Sequence, residues 1–213
     1  MFNPTPPPAG THHPRGQRLA KLQVQALQSV TDLGRRMFGA AACSLALLEP
    51  DDEHLLFLAA SGEGAAAVVG LRLPVSRGIA GWVVSSGQSI AVDDVRHDPR
   101  FARDVAESTG YIPGSILAAP VETGSDTLGL LEVLDRSLAP GRDDMGLITS
   151  LAGVAAVCVE VTREIHAGDA FVRDAPAEIR SLATEIAQLE PNEQQAAVAV
   201  LGEFLTYVRQ RDG

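Results

Sequence analysis

The spacing of apolar residues divides the chain into short elements joined by turns rich in glycine and proline. From residue 18 to residue 38 the apolar positions recur every three or four residues, which predicts an amphipathic helix ended by Gly39. The predicted inward stripe consists of Leu19, Leu22, Ala26, Leu33 and Met37, widened by Leu27 and Val30.

Six apolar segments that follow are short enough to be strands. They are CSLALL, HLLFLAAS, LRLPV, SIAVDDV, SILAAPVET and DTLGLLEVLD. A short helix is predicted at GIAGWVVSSGQ, closed by Gly87. Another is predicted within HDPRFARDVAESTG, with Asp98 as N-cap, Pro99 in its first turn and Gly110 as its stop.

A long helix is predicted from Asp143 to about His166, before a hinge at Gly168. Its inward face is predicted to carry Ile148, Leu151, Ala155, Val159 and Thr162. Two further amphipathic stripes, Ile179–Leu189 and Ala197–Val208, are separated by Pro191, and they predict a helical hairpin or a swapped arm.

This order of elements predicts an α+β fold: an antiparallel sheet with flanking helices on one face and a short-helix and loop lid over the other. Residues 1–17 are rich in proline and are expected to be a disordered tail. The main folded domain is expected to span 18–167, and a C-terminal helical extension to span 168–213.

Composition narrows the classes of function. The net charge is −10, which disfavours a nucleic-acid partner, although residues 1–36 carry a net +4. Cys43 and Cys158 are far apart and lie in apolar runs, so neither a disulfide framework nor a thiolate metal site is expected. With no apolar h-region at the start and no stretch judged long enough to span a membrane, a cytoplasmic protein is expected.

Four sequence pieces in order carry a family resemblance: G-I-A-G-W-V, D-D-V with D-P-R-F, S-I-L-x-x-P-V, and L-G-L-L-E-V-L. Together, over roughly residues 20–165, they resemble a GAF domain, the small-molecule sensor module of phosphodiesterases, histidine kinases and bacterial regulators. The resemblance implies a GAF/PAS-like fold with a ligand pocket between sheet and lid.

The resemblance also implies contact positions for a ligand. These are Ser44 on the first strand, Ile79 and Ala80 in G-I-A-G, Thr109 in the lid and Glu132 on the last strand. Ala60 stands where cyclic-nucleotide binders carry a stacking aromatic, and Ala102 and Ala106 replace larger polar lid residues. The family's Asn-Lys…Phe…Asp-Glu signature is degraded, with Asp135 and Arg136 at its start and Asp143 and Asp144 near its end. Weak or absent binding of cyclic nucleotides is therefore expected.

Other candidate residues leave alternatives open. Trp82 either stacks on a ligand or packs in the core, and Phe101 either lines the pocket or fills it. Strand alternation predicts an apolar pocket floor, although some of its members will face the flanking helices instead. That floor is predicted to be Leu45, Leu47, Phe57, Ala59, Leu117, Leu131 and Val133.

The charged residues near the lid admit two interpretations. Arg96, Arg100 and Arg103 either receive an anion or form salt bridges with nearby acids, and salt bridges are preferred. Asp93 and Asp94 are neighbours in a strand, so they are not expected to chelate a metal together. His97 is the one candidate for a haem ligand at the lid, and a surface histidine is the preferred interpretation.

No catalytic motif or metal site is identified, and no cofactor can be assigned. The preferred hypothesis is a ligand-binding sensor in bacterial signal transduction that forms a homodimer and acts through a partner signalling protein. The alternative is a structural dimerisation platform without a ligand. An enzyme is a distant third, because a free-methionine-sulfoxide reductase of this fold needs a set of cysteines that this chain lacks.

Overall fold

A computed structural model describes residues 14–124, 126–137 and 143–174. The helices in these ranges are α1 (Pro14–Met37), α2 (Ala65–Val68), α3 (Gly78–Ser86), α4 (Arg103–Thr109) and α5 (Asp144–Asp174), with a 3-10 turn at Val95–His97. The strands are β1 (Ala40–Leu48), β2 (His54–Gly62), β3 (Arg72–Pro74), β4 (Ile90–Val92), β5 (Ile116–Thr123) and β6 (Asp126–Arg136).

The six strands form one antiparallel sheet in the order β3-β2-β1-β6-β5-β4. The predicted α+β fold is confirmed. The hairpin between β1 and β2 turns at Asp51 and Asp52. Asp52 adopts a φ of 54°, and the Asp51 carboxylate accepts the backbone N–H groups of Glu53 and His54. Such Asx turns allow the chain to reverse without leaving backbone donors unpaired.

One face of the sheet packs against α1 and α5. Its completely buried side chains include Leu45, Leu117 and Leu131. Within α1 the buried apolar side chains are Leu27 and Val30, and Phe38, directly after the helix, is buried as well. Leu27 and Val30 belong to the predicted stripe, whereas Leu22 and Leu33 of that stripe are 47% and 54% exposed, which corrects this part of the prediction. An amphipathic helix has a broad apolar sector, and contact with the sheet selects which part of it is buried.

On α5 the predicted inward face is confirmed at Ile148, Leu151, Ala155 and Val159, which are all buried. By length and composition alone, Asp144–Ile165 would qualify as a membrane span, contrary to the sequence-based expectation. Of the apolar window that qualifies it, 33% is buried inside the protein. Helix α5 continues through Gly168 to Asp174, so no hinge interrupts it there.

The other face of the sheet is covered by α3, α4 and the loops around them. Helix α3 lies close to the strand that precedes it, since a Cβ on Gly81 would lie 2.3 Å from the carbonyl oxygen of Val75. The predicted N-cap at Asp98 is wrong: α4 begins at Arg103, after Ala102. Asp98 instead accepts the backbone N–H of Arg100 at 2.9 Å, a local turn that competes with helix initiation.

The chain divides into two compact units between Arg163 and Glu164, within α5, and the sheet and its lid belong to the first unit. The N-terminal tail at 1–13, the C-terminal segment from 175 and its predicted hairpin lie outside the described residues. The proposed boundaries of 1–17, 18–167 and 168–213 therefore stay predictions.

The close approach of β1 and β6 gives a testable prediction. A Cβ on Gly129 would lie 2.1 Å from the carbonyl oxygen of Ala46, whereas a Cβ on Gly153 of α5 meets nothing within 4 Å. We expect Gly129→Ala to lower the free energy of unfolding by about 3 kcal/mol, because the strands must separate. Gly153→Ala, the matched control, should raise it by about 1 kcal/mol through helix propensity. Urea denaturation measures both, and equal stability of the two variants would contradict the strand geometry.

Candidate functional site

A central cavity of about 100 Å³ lies between the lid-side face of the sheet and the lid. Strands β1, β2, β5 and β6 supply Ser44, Phe57, Ala60, Ile116, Glu132 and Leu134 to its wall. Helix α3 supplies Gly78, Ile79 and Ala80, and the α4 region supplies Phe101, Ala102, Val105, Ala106 and Thr109. Glu63, Gly64, Tyr111 and Pro113 also line it. The wall is mostly apolar, with a small number of polar groups, as is usual in ligand pockets.

Seven of the eight residues predicted to bind a ligand line this cavity. They are Ser44, Ala60, Ile79, Ala80, Phe101, Thr109 and Glu132. Their role in binding stays a prediction, but the sheet and the lid bring them to one place. Helix α3 contributes two of them because its first turn meets the cavity.

Trp82 does not line the central cavity. It lies on a neighbouring groove bounded by α3 and the Pro99–Ala102 loop. The guanidinium of Arg100 sits over the indole ring, 4.7 Å from its centroid. The same guanidinium pairs with the Asp98 carboxylate at 2.6 Å. The indole thus packs against a paired arginine, a cation–π contact that anchors the lid loop.

The predicted pocket floor was largely assigned to the wrong face of the sheet. Phe57 lines the cavity, whereas Leu45, Leu47, Ala59, Leu117, Leu131 and Val133 belong to the cluster packed against α1 and α5. Alternation along a strand predicts two faces but not which one meets the lid. Here the strands are apolar on both faces, so the sequence offered no polar face to decide it.

Ser44 on β1 and Glu132 on β6 form a polar pair in the cavity wall. Cross-strand pairing of Ser44 with Glu132 brings the two side chains together, and the Ser44 hydroxyl donates to the carboxylate at 2.7 Å. Burial raises the pKa of the Glu132 carboxyl above its usual range, and the hydrogen bond from Ser44 acts in the opposite direction. Burial makes the ionised form of a carboxyl unfavourable unless a cation or further hydrogen-bond donors lie beside it.

Asp135 organises the edge of the cavity, a role that sequence reasoning missed. It adopts a φ of 52°, and its carboxylate accepts the backbone N–H groups of Gly114 and Ser115 at 2.8 Å each. The hydroxyl of Tyr111, a cavity-wall residue, donates to the same carboxylate. The one sequence signal was the position of Asp135 at the start of the degraded family signature.

Arg136, the residue after Asp135, links the sheet to α5 through an ion pair. Arg136 pairs with Asp144 at 3.1 Å through Nε and with Asp93 at 3.1 Å through Nη2. Asp93 and Asp94 do not act together, because the Asp94 carboxylate caps the 3-10 turn by accepting the N–H of Arg96. Hydrogen bonding from Arg96 lowers the pKa of Asp94 to about 2.

The arginines near the lid form salt bridges, as preferred from the sequence. Arg96 pairs with Asp94, Arg100 with Asp98 and Arg103 with Glu107, all within 3.0 Å. His97 bonds to Asp94 and is largely exposed, away from the central cavity. It is a surface histidine and is not positioned as a cofactor ligand within that cavity.

The cysteines and the hairpin turn offer little for catalysis or metal binding. Cys43 is completely buried, and burial raises the pKa of its thiol. Cys158 packs on the helix-facing side of the sheet. Among the described residues, a cluster of Glu49, Asp51 and His54 has metal-like spacing, but the guanidinium of Arg72 bonds to both carboxylates and disfavours a cation there.

Comparison with known proteins agrees with this geometry. The chain is 30% identical over 86 residues to a probable 3',5'-cyclic phosphodiesterase of Caenorhabditis elegans, covering 40% of this chain and 11% of that protein. The chain thus spans about a tenth of that relative's length.

Solved structures share the fold. One is the GAF domain of a phosphoenolpyruvate-protein phosphotransferase from Coxiella burnetii, with TM-score 0.61, 21% identity, and coverage of 71% of this chain and 94% of that one. Another is a free methionine-R-sulfoxide reductase from Neisseria meningitidis in complex with its substrate, with TM-score 0.56, 20% identity, and coverage of 70% and 86%. The sequence profile of the GAF domain matches residues 24–159, well over half of the chain. This chain therefore belongs to the GAF domain family.

Proposed function

We propose that this chain is a bacterial sensor that binds a small molecule in the central cavity and passes the bound state, as a homodimer, to a partner signalling protein. GAF domains are in general sensor and signalling modules, found in phosphodiesterases and kinases. The ligand, the dimer, the partner and a cytoplasmic location are the parts that this proposal adds. The net charge of −10 supports a partner other than nucleic acid.

The observation that carries the proposal is the unfilled space behind the lid. Ala60, Ala102 and Ala106 face the cavity with methyl groups. Phe101 and Tyr111 line the same wall, yet a volume of about 100 Å³ is left between them. Protein interiors are close-packed, and a cavity of this size is a cost to stability unless something occupies it. A structural platform without a ligand would be expected to fill that space.

The position of β1 suggests how the bound state reaches the helices. Ser44 faces the cavity, while its neighbour Cys43 faces α1 on the opposite side of the sheet. A Cβ on Gly34 of α1 would lie 2.9 Å from the Cys43 sulfur and 3.0 Å from the Leu151 side chain of α5. So tight a junction transmits small displacements of β1 to both helices.

A regulatory role is favoured over catalysis. The reductase neighbour shows that this fold can support an enzyme. This chain has two cysteines, one completely buried and one packed on the helix-facing side of the sheet. A buried thiol with a raised pKa is a poor nucleophile, since the thiolate is the reactive form.

If the cavity binds a ligand, the protein should carry a bound small molecule, and filling the cavity should remove it. We expect native mass spectrometry of the protein purified from its own host to show a small-molecule adduct. Ala106→Leu should reduce the adduct by about tenfold or more, because overpacking costs about 1–3 kcal/mol. Ala91→Leu, at an exposed position of β4 outside the cavity, should leave it unchanged. Absence of any adduct from the parent protein would favour the structural platform.

The homodimer is supported by apolar side chains that α1 and α5 leave exposed. On α5, Val154, Val157, Val161 and Ile165 are between 39% and 62% exposed, at spacings of three, four and four residues. Leu22 and Leu33 of α1 are similarly exposed. Stripes of this spacing are typical of helices that pair with another chain. The predicted contribution of the Ile179–Leu189 stripe lies outside the described residues.

The dimer hypothesis is tested by placing a charge in the α5 stripe. We expect the parent protein to sediment as a dimer at micromolar concentration and Val157→Glu to weaken dimerisation by about tenfold or more, because an unpaired buried carboxylate is costly. Val69→Glu is the matched control, since Val69 is 47% exposed and lies outside both helices. A monomeric parent protein, or equal effects of both variants, would contradict the hypothesis.

A further inference from the structure

We propose that the ligand of the central cavity is a small organic cation, an ammonium or amidinium group on an apolar body, and that Glu132 with Ser44 receives its charged end. This inference rests on the proposed ligand-binding function and narrows it to one chemical class. It differs from the best-known ligands of phosphodiesterase GAF domains, the cyclic nucleotides, which are anions.

The charges on the cavity wall are of one sign. In the described part of the chain, the wall carries two carboxyl groups, Glu132 beside Ser44 and Glu63 near Tyr111, and it carries no lysine, arginine or histidine. Two arginines of the lid are engaged outside the wall, Arg100 with Asp98 and Arg103 with Glu107. An anionic ligand would therefore meet two carboxyl groups and no side-chain cation.

The hydrogen bonds of Glu132 leave room for a donor. Within the described ranges, the hydroxyl of Ser44 is its one hydrogen-bond partner, bonded to Oε1 at 2.7 Å. An ionised carboxylate has about four acceptor positions, so a ligand with several N–H groups can satisfy the remaining ones. Ammonium and amidinium groups offer such donors together with the opposite charge, and charge-assisted hydrogen bonds are the strong ones.

The other groups around Glu132 do not supply that partner. Cys43 of β1 has a thiol whose pKa is raised by burial, and Tyr111 has a phenol whose pKa is raised by burial and by Asp135. Helix α3 contains no titratable residue, and the cross-strand partner on β5 is Ala118. The hydroxyl of Tyr111 and the thiol of Cys43 therefore stay neutral. Among the described residues of the wall, no cationic side chain balances the charge of an ionised Glu132.

The N-terminus of α3 is a positive feature of the wall. Its first turn, Gly78 to Ala80, lines the cavity, and no side chain caps it. A helix N-terminus is equivalent to about half of a positive charge, which is less than the charge of the two carboxylates combined. A ligand that carries negative charge and no positive group is therefore still disfavoured.

The size of the cavity fits a small ligand. About 100 Å³ is below the range of about 300–1,000 Å³ that is usual for pockets holding drug-sized molecules. The experiment accordingly uses three probes of one shape and three charges: benzylamine, benzyl alcohol and benzoate. Isothermal titration calorimetry is done on the whole chain at a pH near 8, where benzylamine is still a cation. Raising the pH shifts Glu132 toward its ionised form.

We expect benzylamine to bind about tenfold or more tightly than benzyl alcohol, and benzoate to show no saturable binding up to about 10 mM. Glu132→Gln should remove the advantage of benzylamine while leaving the affinity for benzyl alcohol within about threefold. Glu107→Gln, which removes an exposed carboxylate of α4 outside the cavity, should change neither affinity.

The glutamine variant should remain folded. Burial raises the pKa of Glu132 in the folded state, so this carboxyl ionises at a lower pH in the unfolded chain. The free energy of unfolding therefore falls as the pH rises from the unfolded-state pKa of Glu132 to its folded-state pKa. Glutamine carries no charge and can still accept the Ser44 hydrogen bond, so thermal unfolding at neutral pH should show no loss of stability.

Similar affinities for all three probes, unchanged by Glu132→Gln, would overturn this inference and leave the cavity as a ligand site. Tighter binding of benzoate or of cyclic GMP than of benzylamine would overturn it in the same way. No saturable binding of any probe to the parent protein would overturn both this inference and the proposed ligand-binding function of the cavity.

Discussion

The sheet of this protein is apolar on both faces, and both faces have to be covered for it to exist in water. Leu45 and Leu131 of the central strands point to α1 and α5, while Ala46 and Leu130 point to the lid. The two covering layers then follow different rules. The helix side is closed by long helices with large aliphatic side chains, whereas the lid side is closed by short helices and loops. Long helices pack densely, and a lid of short pieces leaves space.

Within that looser layer, small side chains decide where the space lies. Three alanines line the cavity with short side chains: Ala60 of β2, Ala102 directly before α4 and Ala106 within α4. The space is bounded on its sheet side by a carboxyl group, Glu132, whose burial is unfavourable for its charged form. A partly desolvated carboxyl group beside a cavity is typical of functional sites, which often reduce the stability of the folded protein in favour of binding.

The electrostatics of the lid differ between its outer surface and its inner wall. Outside, each of Arg96, Arg100 and Arg103 pairs with an acid within four residues along the chain. The pairs of Arg96 with Asp94 and of Arg103 with Glu107 are exposed in large part, so they contribute little to stability. Their consequence for function is larger, because they withhold the positive charges that an anionic ligand would need. The inner wall is left with carboxyl groups as its charged side chains in the described residues.

The amino-acid sequence determined the order of the strands and long helices, the α+β class, the family and seven of the eight predicted contact positions at the cavity. These depend on local periodicity, on turn residues such as Gly87 and Gly110, and on motifs read along the chain. Three features were decided by tertiary structure alone. The face of each strand that meets the lid could not be read from strands that are apolar on both faces, so Leu117 and Val133 were assigned to the wrong side.

The inward sector of α1 was decided by its contact with the sheet, which buried Leu27 and Val30 and left Leu33 exposed. The pairing of Ser44 with Glu132 depends on strand register between residues 88 positions apart, and the contacts of Asp135 join residues 20 to 24 positions apart. Register is set when the whole sheet assembles, because each strand must match its neighbours and both covering layers at once. Local sequence patterns carry no such long-range information, and for that reason the chemistry of the cavity became visible only in the folded chain.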